Sequence, residues 1–585
     1  MTQRLAAHLL AAVALAMLPA AALAKRNPPP PAPVASAGAL VDNVTGITLD
    51  ADGHVIRFTG VLLTPDGKVI RLLKAGDKRP ERLDWRADMK GRVLLPGFVD
   101  SHGHLMDLGF RLQELDLSGT HGLAEAQARI KAYAAANPDR KWILGGGWNQ
   151  EEWGLGRFPT AADLDAGVGD RPVALTRIDS HAVWLNSAAI KAAGVTAATK
   201  APAGGRIEHD GAGRPSGIFT DAAREMVMRA APAPRAVDRD NALLAAQEQL
   251  LARGVTATDD MRTTLPDWLT FRRAGDRGAL RLRVEAYADS IETANLTAGA
   301  GPSQWLYGDR LRLIGVKIFA DGALGSRGAW LKAPYSDSPR ESGQGFWNDD
   351  QLRNLMSRAA MDHFQVAVHA IGDRANAEVI GAIAELSETY KGDRRWRIEH
   401  AQVIDPADMA SLRGHGIIAG MQPIHQVSDR TMAEARLGPA RLAGAYAWAS
   451  VAKAGATLAF GSDYPNDDFS PFHGWAAAIT RQDAAGNPPG GWQPQERLGR
   501  EAAWRAYTSD AAYAGFAEQV YGRLAPGQRA DFIIVDRDPL TAAPAELRDS
   551  KVEETWIGGE KVWEAGRVTA VSARRDLTPR PDADS

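Results

Sequence analysis

The stretch GFVDSHGH, residues 97–104, ends an apolar run with two histidines placed two positions apart. In an extended chain successive side chains alternate between two faces, so His102 and His104 point to the same side. Two imidazoles on one side can bind a single object, and a metal ion is the first candidate. The chain contains no cysteine, so nitrogen and oxygen atoms must hold any such ion.

Seven further strand-like runs follow along the chain, with helical stretches between them. Alternation of strands and helices is typical of βα units and a parallel sheet. Eight such strands predict an α/β protein with a TIM-like (β/α)8 barrel, whose active site forms where the C-terminal strand ends meet. The eight runs are LPGFVDSH (95–102), GVTATDD (254–260), LRVEAYA (282–288), LIGVKIFADG (313–322), QVAVHAIG (365–372), WRIEHAQ (396–402), GIIAGMQP (416–423) and TLAFGSDYP (457–465).

The gap between the first two runs is too long for one helix and two loops. It predicts an insertion at about 110–250, with strand-like elements of its own, over the barrel mouth.

Both ends of the chain show short alternating runs with glycine-containing turns, which predict hairpins. We expect the two ends to pair into one small β-sandwich beside the barrel. The predicted domains are a barrel over 94–520 and a sandwich built from 39–93 and 521–572.

The first 24 residues carry Arg4, a short apolar core and an Ala-Leu-Ala end. This pattern is typical of a cleaved secretory signal peptide, and its core is shorter than the ~20 residues that span a bilayer. A Pro-rich linker is predicted at 25–38 and a flexible tail at 573–585. The absence of cysteine suits an oxidising compartment. We therefore predict an exported, periplasmic protein.

The charge balance limits the classes of partner. Lys and Arg number 68 against 71 Asp and Glu, a net charge of −3. This balance gives no basic surplus for a nucleic acid backbone or an anionic membrane surface. The predicted partner is a small molecule, with no nucleic acid and no membrane after signal cleavage. The oligomeric state, including a homo-oligomer, stays open.

Six ionisable residues lie at the ends of five of the eight runs. Each alone has a structural explanation, such as a hydrogen-bonded histidine or an aspartate in a turn. Gathered around one axis without partners, they would be destabilising, and one or two divalent cations would supply the missing partners. The six are His102, His104, Lys317, His369, His400 and Asp463.

The chain also resembles a known family, the metal-dependent amidohydrolase superfamily, and within it the amidohydrolase 3 branch related to N-substituted formamide deformylases. The resemblance extends from about residue 40 to 570 and is more specific for the branch than for a substrate. The motifs that carry it are LLPGFVDSHGHL, GGGWNQEEW, DSHAVWLNSAAI, VKIFADGALGSRGAW, AVHAIGDRAN, RIEHAQ, FGSDYP and RLAPGQRADFIIVDRDPL.

Carried over position by position, the resemblance implies one metal on His102 and His104 and a second on His369 and His400. Lys317, carboxylated by carbon dioxide, would bridge the two ions. Zinc is expected, with manganese, iron or cobalt as alternatives. The resemblance further implies that Asp463 binds the first metal and serves as general base and then general acid, while metal-bound hydroxide attacks a carbonyl carbon.

Four residues are candidates for substrate binding. His181 and Trp148 match family positions near the substrate, and Arg327 and Arg374 follow strands that carry metal ligands. Thr258 departs from the branch, which usually has a histidine there. The remaining candidates match no ligand position and are expected to be structural or exposed; they are His209, His363, His425 and His473.

These features predict a hydrolase that cleaves a non-peptide carbon–nitrogen bond in an amide, N-substituted formamide, carbamate or cyclic amide. The same barrel and metals could also hydrolyse an ester, lactone or phosphoester, because hydroxide attack does not select the leaving group. A third alternative is a non-catalytic periplasmic binding protein. Loss of a ligand would be expected of that class, and all six ligand positions are present.

Overall fold

The computed structural model describes residues 37–567. The predicted signal peptide, nearly all of the linker and the C-terminal tail lie outside these residues. Within residues 37–567 there are 22 strands. In chain order they are β1 (Ala39–Leu49), β2 (Val55–Leu63), β3 (Val69–Leu73), β4 (Arg86–Asp88), β5 (Val93–Pro96), β6 (Phe98–Gly103), β7 (Leu115–Asp116), β8 (Ile143–Trp148), β9 (Val173–Arg177), β10 (Ala182–Leu185), β11 (Gly205–His209), β12 (Pro215–Asp221), β13 (Val255–Thr263), β14 (Arg283–Ala288), β15 (Leu311–Phe319), β16 (Gln365–Ala370), β17 (Arg397–His400), β18 (Ile418–Met421), β19 (Thr457–Phe460), β20 (Phe532–Val535), β21 (Val552–Ile557) and β22 (Glu560–Glu564).

The same part of the chain contains 16 α-helices and three short 3-10 helices. None of the helices among these residues is both long enough and apolar enough to span a bilayer. The 3-10 helices are Met409–Leu412, Pro439–Gly444 and Pro494–Glu496. The α-helices are α1 (Leu105–Arg111), α2 (Leu123–Ala136), α3 (Ala161–Asp165), α4 (Ser187–Ala192), α5 (Ala222–Met228), α6 (Ala236–Leu251), α7 (Leu265–Asp276), α8 (Ile291–Ala298), α9 (Asp349–Met361), α10 (Asp373–Thr389), α11 (Pro423–Leu437), α12 (Trp448–Ala454), α13 (Pro471–Thr480), α14 (Arg500–Ala506), α15 (Ser509–Ala514) and α16 (Pro544–Arg548).

Strands β6 and β13 to β19 form one parallel eight-stranded sheet, in the order β19-β18-β17-β16-β15-β14-β13-β6. Each of the eight predicted runs overlaps one of these strands, which confirms the prediction of a TIM-like barrel. The strands are almost entirely buried, because helices cover the outside and side chains fill the inside. The sheet closes at its C-terminal end, where Gly103 bridges to Tyr464 just beyond β19.

The N-terminal and C-terminal segments together form one mixed β-sheet beside the barrel. Its strand order is β22-β21-β20-β5-β1-β2-β3, and β4 lies against β1. The contact between the two ends of the chain is the antiparallel pair β20 and β5, in which Ile533 faces Leu95. These strands form a single hydrogen-bonded sheet, so the two-sheet form of the predicted sandwich is not confirmed.

An insertion with its own sheet separates β6 from β13. Its six strands have the order β11-β12-β10-β9-β8-β7, and its interior is a separate apolar core around Trp148, Trp153 and Trp184. Helix α6 follows the insertion sheet and packs into the barrel core. The insertion sheet therefore ends at β12, earlier than the predicted boundary near residue 250.

Candidate metal centre

The barrel brings the six predicted ligands to one end of its strands. His102 lies in β6, Lys317 in β15, His369 in β16 and His400 at the end of β17. His104 precedes α1 and Asp463 follows β19, so both lie just beyond a strand. Five of the six residues are at least nine-tenths buried, and the side chain of His104 is 16% exposed. Side chains from five separate strands therefore face a common space.

Closure of the barrel places Asp463 against the two histidines of the first strand. The Asp463 amide donates to the His102 carbonyl at 2.7 Å, which joins the segment after β19 to β6. Asp463 has a left-handed backbone, with φ 58°, a strained conformation found most often at functional sites. Its Oδ1 lies 3.1 Å from His104 Nε2 and 3.6 Å from His102 Nε2. Lys317 Nζ lies 3.2 Å from the same His102 Nε2.

The other two ligand histidines continue this cluster. The His400 ring centroid lies 4.7 Å from that of His102 and 4.6 Å from that of His369. His400 also has a left-handed backbone, with φ 69°, as does Ala401 after it. The chain therefore turns sharply where β17 ends.

At this centre, two sets of three side chains have ligand atoms within 4.8 Å of one another, close enough to share one ion. The first set is His102, His104 and Asp463. The second is His400, His425 and Asp463. His369 belongs to neither set and joins the centre through its ring contact with His400.

The donor set and its surroundings fit a divalent ion. A metal-binding imidazole normally donates its other nitrogen to a fixed acceptor. His102 Nδ1 lies 2.5 Å from Glu399 Oε2, and His400 Nδ1 lies 2.9 Å from the Gln422 side-chain oxygen. His369 Nδ1 is buried without a hydrogen-bond partner among the described residues. Each ring therefore has one nitrogen available for a ligand bond.

Burial shifts the pKa values of the ligands in the direction that metal binding needs. It lowers the pKa of His102 to about 4, with a further decrease from Lys317. It also lowers the pKa of His369 and His400 well below the ordinary value. The pKa of Lys317 falls to about 8, again mainly through burial. At neutral pH the three histidines are neutral, as metal ligands must be.

Asp463 behaves in the opposite way. Burial alone would raise the pKa of its carboxyl group, but the close approach of the His104 and His102 ring nitrogens outweighs burial. The resulting pKa lies well below the ordinary value. Asp463 is therefore an anion at neutral pH, able to bind a cation or accept a proton.

A cavity of about 1310 Å³ opens directly onto this centre. Barrel strand ends and the insertion both line it, so the insertion lies at the barrel mouth as predicted. Phe319, Phe346 and Trp347 form part of its wall, which we call the aromatic wall. The Phe319 ring lies 5.1 Å from the His369 ring, and the Trp347 indole donates to the Phe319 carbonyl at 2.9 Å. The aromatic wall thus runs from a ligand towards the rim.

Of the four predicted substrate-binding residues, His181 lies on the cavity wall. Its ring centroid is 5.2 Å from that of His369, and its Nδ1 lies 2.8 Å from Asp221 Oδ1. Burial alone would lower the pKa of His181, but the bond to Asp221 and the Asp221 charge outweigh burial and raise it.

The other three predicted substrate-binding residues do not line the cavity among residues 37–567. Trp148 is fully buried and donates to the Leu175 carbonyl at 2.6 Å, so it packs in the insertion core. Arg327 pairs with Asp337 at 3.0 Å, and Arg374 pairs with Glu378 at 2.7 Å. Both arginines therefore form ion pairs outside the cavity wall.

Several residues of the site were not predicted. His425, expected to be structural or exposed, lines the cavity and lies 3.8 Å from Asp463 Oδ2. It follows β18 by four residues, and its place just after a barrel strand was the available signal. Glu399 is also part of the site, although it looks like an ordinary strand residue in RIEHAQ. Thr258, the departure from the branch, hydrogen-bonds to the Tyr464 hydroxyl at 2.7 Å.

Comparison with known proteins agrees with this geometry. The sequence pattern of the amidohydrolase family matches residues 87–563. Protein LONG AFTER FAR-RED 3 of Arabidopsis thaliana is 33% identical over 503 residues, covering 81% of this chain and 83% of that protein. N-substituted formamide deformylase of Arthrobacter pascens is 27% identical over 497 residues, covering 81% and 88%. The crystal structure of an uncharacterized metal-dependent hydrolase of Pyrococcus horikoshii superposes with a TM-score of 0.70 at 28% identity, covering 86% of this chain and 99% of that one.

Proposed function

The chain belongs to the amidohydrolase family of metal-dependent hydrolases, and we propose that it hydrolyses a non-peptide carbon–nitrogen bond in a small molecule. The substrate class is an amide, N-substituted formamide, carbamate or cyclic amide. The resemblance to N-substituted formamide deformylase of Arthrobacter pascens supports this bond type.

The observation behind the proposal is the convergence of nitrogen and oxygen donors at the floor of one large cavity. His102, His104 and Asp463 lie within 4.8 Å of one another, and this set has no thiol. Imidazole and carboxylate are the donors of catalytic zinc sites, which keep one position open for water or substrate. The cavity gives a substrate direct access to that position.

We assign one ion to His102, His104 and Asp463 and a second to His369 and His400, with zinc as the metal. A bound zinc ion supplies Lewis acidity that polarises a carbonyl group and makes a water molecule easier to deprotonate. Lys317 would bridge the two ions as a carbamate. For this, its neutral amine forms a bond to the carbon of carbon dioxide and loses a proton. The lowered pKa of Lys317, about 8, favours the neutral amine that this reaction needs.

We assign proton transfer to Asp463. Its carboxylate is ionised at neutral pH and lies at the cavity floor between His104 and Asn466, whose side-chain amide donates to Oδ2 at 3.1 Å. We propose that it takes a proton from the attacking water and gives it to the leaving nitrogen. The nitrogen then departs as an amine, which is a far better leaving group than an amide anion.

The aromatic wall would accept an apolar part of the substrate. Phe319, Phe346 and Trp347 offer flat apolar surface from the metal centre towards the rim. Apolar walls with a few fixed polar groups are typical of small-molecule sites. A substrate with an aromatic or aliphatic substituent therefore fits this cavity better than a fully polar one.

The test uses amide and ester pairs that share the same acyl group and the same aryl or alkyl substituent. Zinc-loaded protein should release amine from the amides, and stripping the metal with a chelator should abolish this activity until zinc is restored. Release of alcohol from the esters without release of amine from any amide would instead assign the protein to the esterase alternative. No hydrolysis of any pair by metal-loaded protein would contradict the proposal.

Asp463→Asn provides the matched variant, because it keeps the shape of the side chain and removes its basicity. We expect amine release to fall by about 10²- to 10⁴-fold, the usual contribution of general acid–base catalysis. Metal content is measured in parallel, so that a lost ion is distinguished from a lost base. Full activity of this variant would exclude Asp463 as the proton carrier.

A further inference from the structure

We propose that Glu399 is a positioning residue for the metal centre, fixing the His102 ring so that Nε2 faces Lys317 and Asp463. The proposal rests on the metal-dependent function proposed above. It assigns a role to a buried ion-pair network inside the barrel, formed by Asp259, Arg397 and Glu399.

Glu399 uses both of its carboxylate oxygens. Oε2 accepts from His102 Nδ1 at 2.5 Å, and Oε1 accepts from Arg397 Nε at 2.6 Å. The side chain is fully buried. A buried carboxylate is destabilising unless it is paired and hydrogen-bonded. Its two partners here are a guanidinium group and the ring of a predicted ligand, so its position serves that ring directly.

Arg397 is fixed from several sides, which makes it a rigid support for Glu399. Nη1 donates to Asp259 Oδ2 at 2.5 Å and to the Tyr287 hydroxyl at 2.9 Å. Nη2 donates to the Ser101 carbonyl at 2.7 Å. Since Ser101 directly precedes His102, Arg397 holds both the backbone before the ligand and the carboxylate that binds its ring.

The neighbouring strand leaves space for this arrangement. Glu399 in β17 pairs with Gly420 in β18. A Cβ atom at residue 420 would collide with Glu399 Oε2, the oxygen that bonds to His102. The φ of Gly420 is not in the left-handed region, so the glycine is needed for space and not for its conformation.

The network has a specific consequence for metal binding. A carboxylate that accepts from Nδ1 holds the imidazole in the tautomer whose Nε2 lone pair is free. It also makes that nitrogen a stronger donor and fixes the ring orientation. Loss of such an outer contact usually weakens metal affinity by 10- to 100-fold. We expect losses of about this size when Glu399 is changed.

The experiment measures the zinc dissociation constant of metal-stripped, full-length protein by competition with a chromophoric chelator. Glu399→Gln should bind zinc about 10- to 100-fold more weakly than the wild type. Gly420→Ala keeps every charge but displaces the Glu399 carboxylate, so it should also weaken zinc binding. This variant tests the same contact in case Glu399→Gln does not fold. Because both changes act through one contact, the double variant should lose less than the product of the two single losses.

Glu285→Gln is the control. Glu285 is equally buried in the barrel and pairs with Arg312 at 2.7 Å. The zinc dissociation constant of Glu285→Gln should stay within about twofold of the wild-type value. The visible spectrum of cobalt-loaded Glu285→Gln should match that of the wild type, whereas the spectrum of cobalt-loaded Glu399→Gln should differ. Equal losses in Glu285→Gln and Glu399→Gln, or no loss in Glu399→Gln, would overturn the positioning role. A wild-type protein that binds no zinc would instead overturn the proposed function, and this inference with it.

Discussion

Individual side chains decide which ring nitrogen of each histidine is free to bind a metal ion. Glu399 engages Nδ1 of His102, and Gln422 engages Nδ1 of His400. His369 has the opposite arrangement, since its Nδ1 is unpartnered among the described residues while Nε2 lies 3.4 Å from the Gly322 carbonyl. His102 and His400 therefore leave Nε2 free, whereas His369 leaves Nδ1 free.

Trp347 tests the aromatic wall. This residue is 40% exposed and lines the cavity, so its indole is open to contact with a substrate. Trp347→Ala should raise KM about tenfold for a substrate with an aromatic substituent, a loss of about 1.4 kcal/mol, and leave kcat nearly unchanged. Steady-state kinetics on aromatic and small aliphatic substrates check this expectation.

Trp85→Ala is the matched control, because Trp85 is also 40% exposed but stacks on Trp556 in the terminal sheet. It should leave both kinetic constants unchanged. Equal KM values for Trp347→Ala and the wild type would mean that the aromatic wall does not contact the substrate.

Glu114, on the cavity wall after α1, gives a pH-dependent prediction. Burial raises the pKa of its carboxyl group to about 7, from an ordinary value of 4.5. Between these values the folded protein keeps a proton that the unfolded chain has released, so this group contributes less stability as pH rises. Glu114→Gln should therefore be no more stable than the wild type at pH 4.5. At pH 8 it should be more stable by on the order of 2 kcal/mol.

Urea unfolding at both pH values measures this difference. The control is Glu388→Gln, a change at a side chain that is 80% exposed, and its free energy of unfolding should stay within about 0.5 kcal/mol of the wild type. A Glu114→Gln effect that is the same at pH 4.5 and 8 would contradict the prediction.

The six residues predicted as ligands lie together at one end of the barrel, whereas several of their neighbours were not predicted. His102 and His104 follow from strand alternation, but Glu399 becomes informative only when β17 is placed opposite β6 inside the barrel. Trp148 lies in a motif near the site, yet its side chain points into the insertion core. Sequence indicates which segment is near a site, whereas the direction of a side chain depends on how the segments pack.

At the scale of elements, helix α11 connects the barrel to the insertion through Arg436. This side chain is 3% exposed, and its Nη2 lies 2.5 Å from Glu151 Oε1 in the insertion. Nη1 pairs with Asp337, and Nη2 also donates to the Gly325 carbonyl. One guanidinium group thus joins α11, the loop after β15 and the insertion.

Arg436→Met should lower the free energy of unfolding by about 2 kcal/mol, because Glu151 loses its cation and Asp337 keeps only Arg327. It should also speed proteolytic cleavage within the insertion, which loses a contact to the barrel. Arg430→Met, a change at a partly buried residue of the same helix, should have little effect on either measurement. Unchanged stability and cleavage in Arg436→Met would show that other contacts hold the insertion in place.

Some strands and helices were easier to predict from the sequence than others. Each barrel strand overlaps a buried run that the sequence predicted. The terminal strands were also predicted, but alternation along a strand says only that one face is buried and not which element covers it. For this reason the single sheet joining β5 to β20 could not be distinguished from a sandwich. The amphipathic pattern of α6 does not say whether this helix packs on the insertion or on the barrel, so the insertion limits of about 110–250 stay a prediction.

The whole molecule explains why residues from position 102 to position 463 can form one centre. A closed parallel barrel brings the C-terminal ends of all eight strands to one face, and here β6 meets the segment after β19 through the Asp463 amide and the His102 carbonyl. The insertion lies over that face and shapes the cavity. Barrel closure, metal binding and substrate access therefore depend on the same end of the fold.

Metal content is the most direct test of the central claim that these six residues form a metal centre. Protein purified in the presence of zinc and freed of loosely bound ions is analysed by mass spectrometry for metals, together with His369→Ala and, as control, the exposed His209→Ala. We expect about two ions per chain in the wild type and in His209→Ala, and about one in His369→Ala. The absence of bound metal from the wild type, or an unchanged count in His369→Ala, would contradict the account.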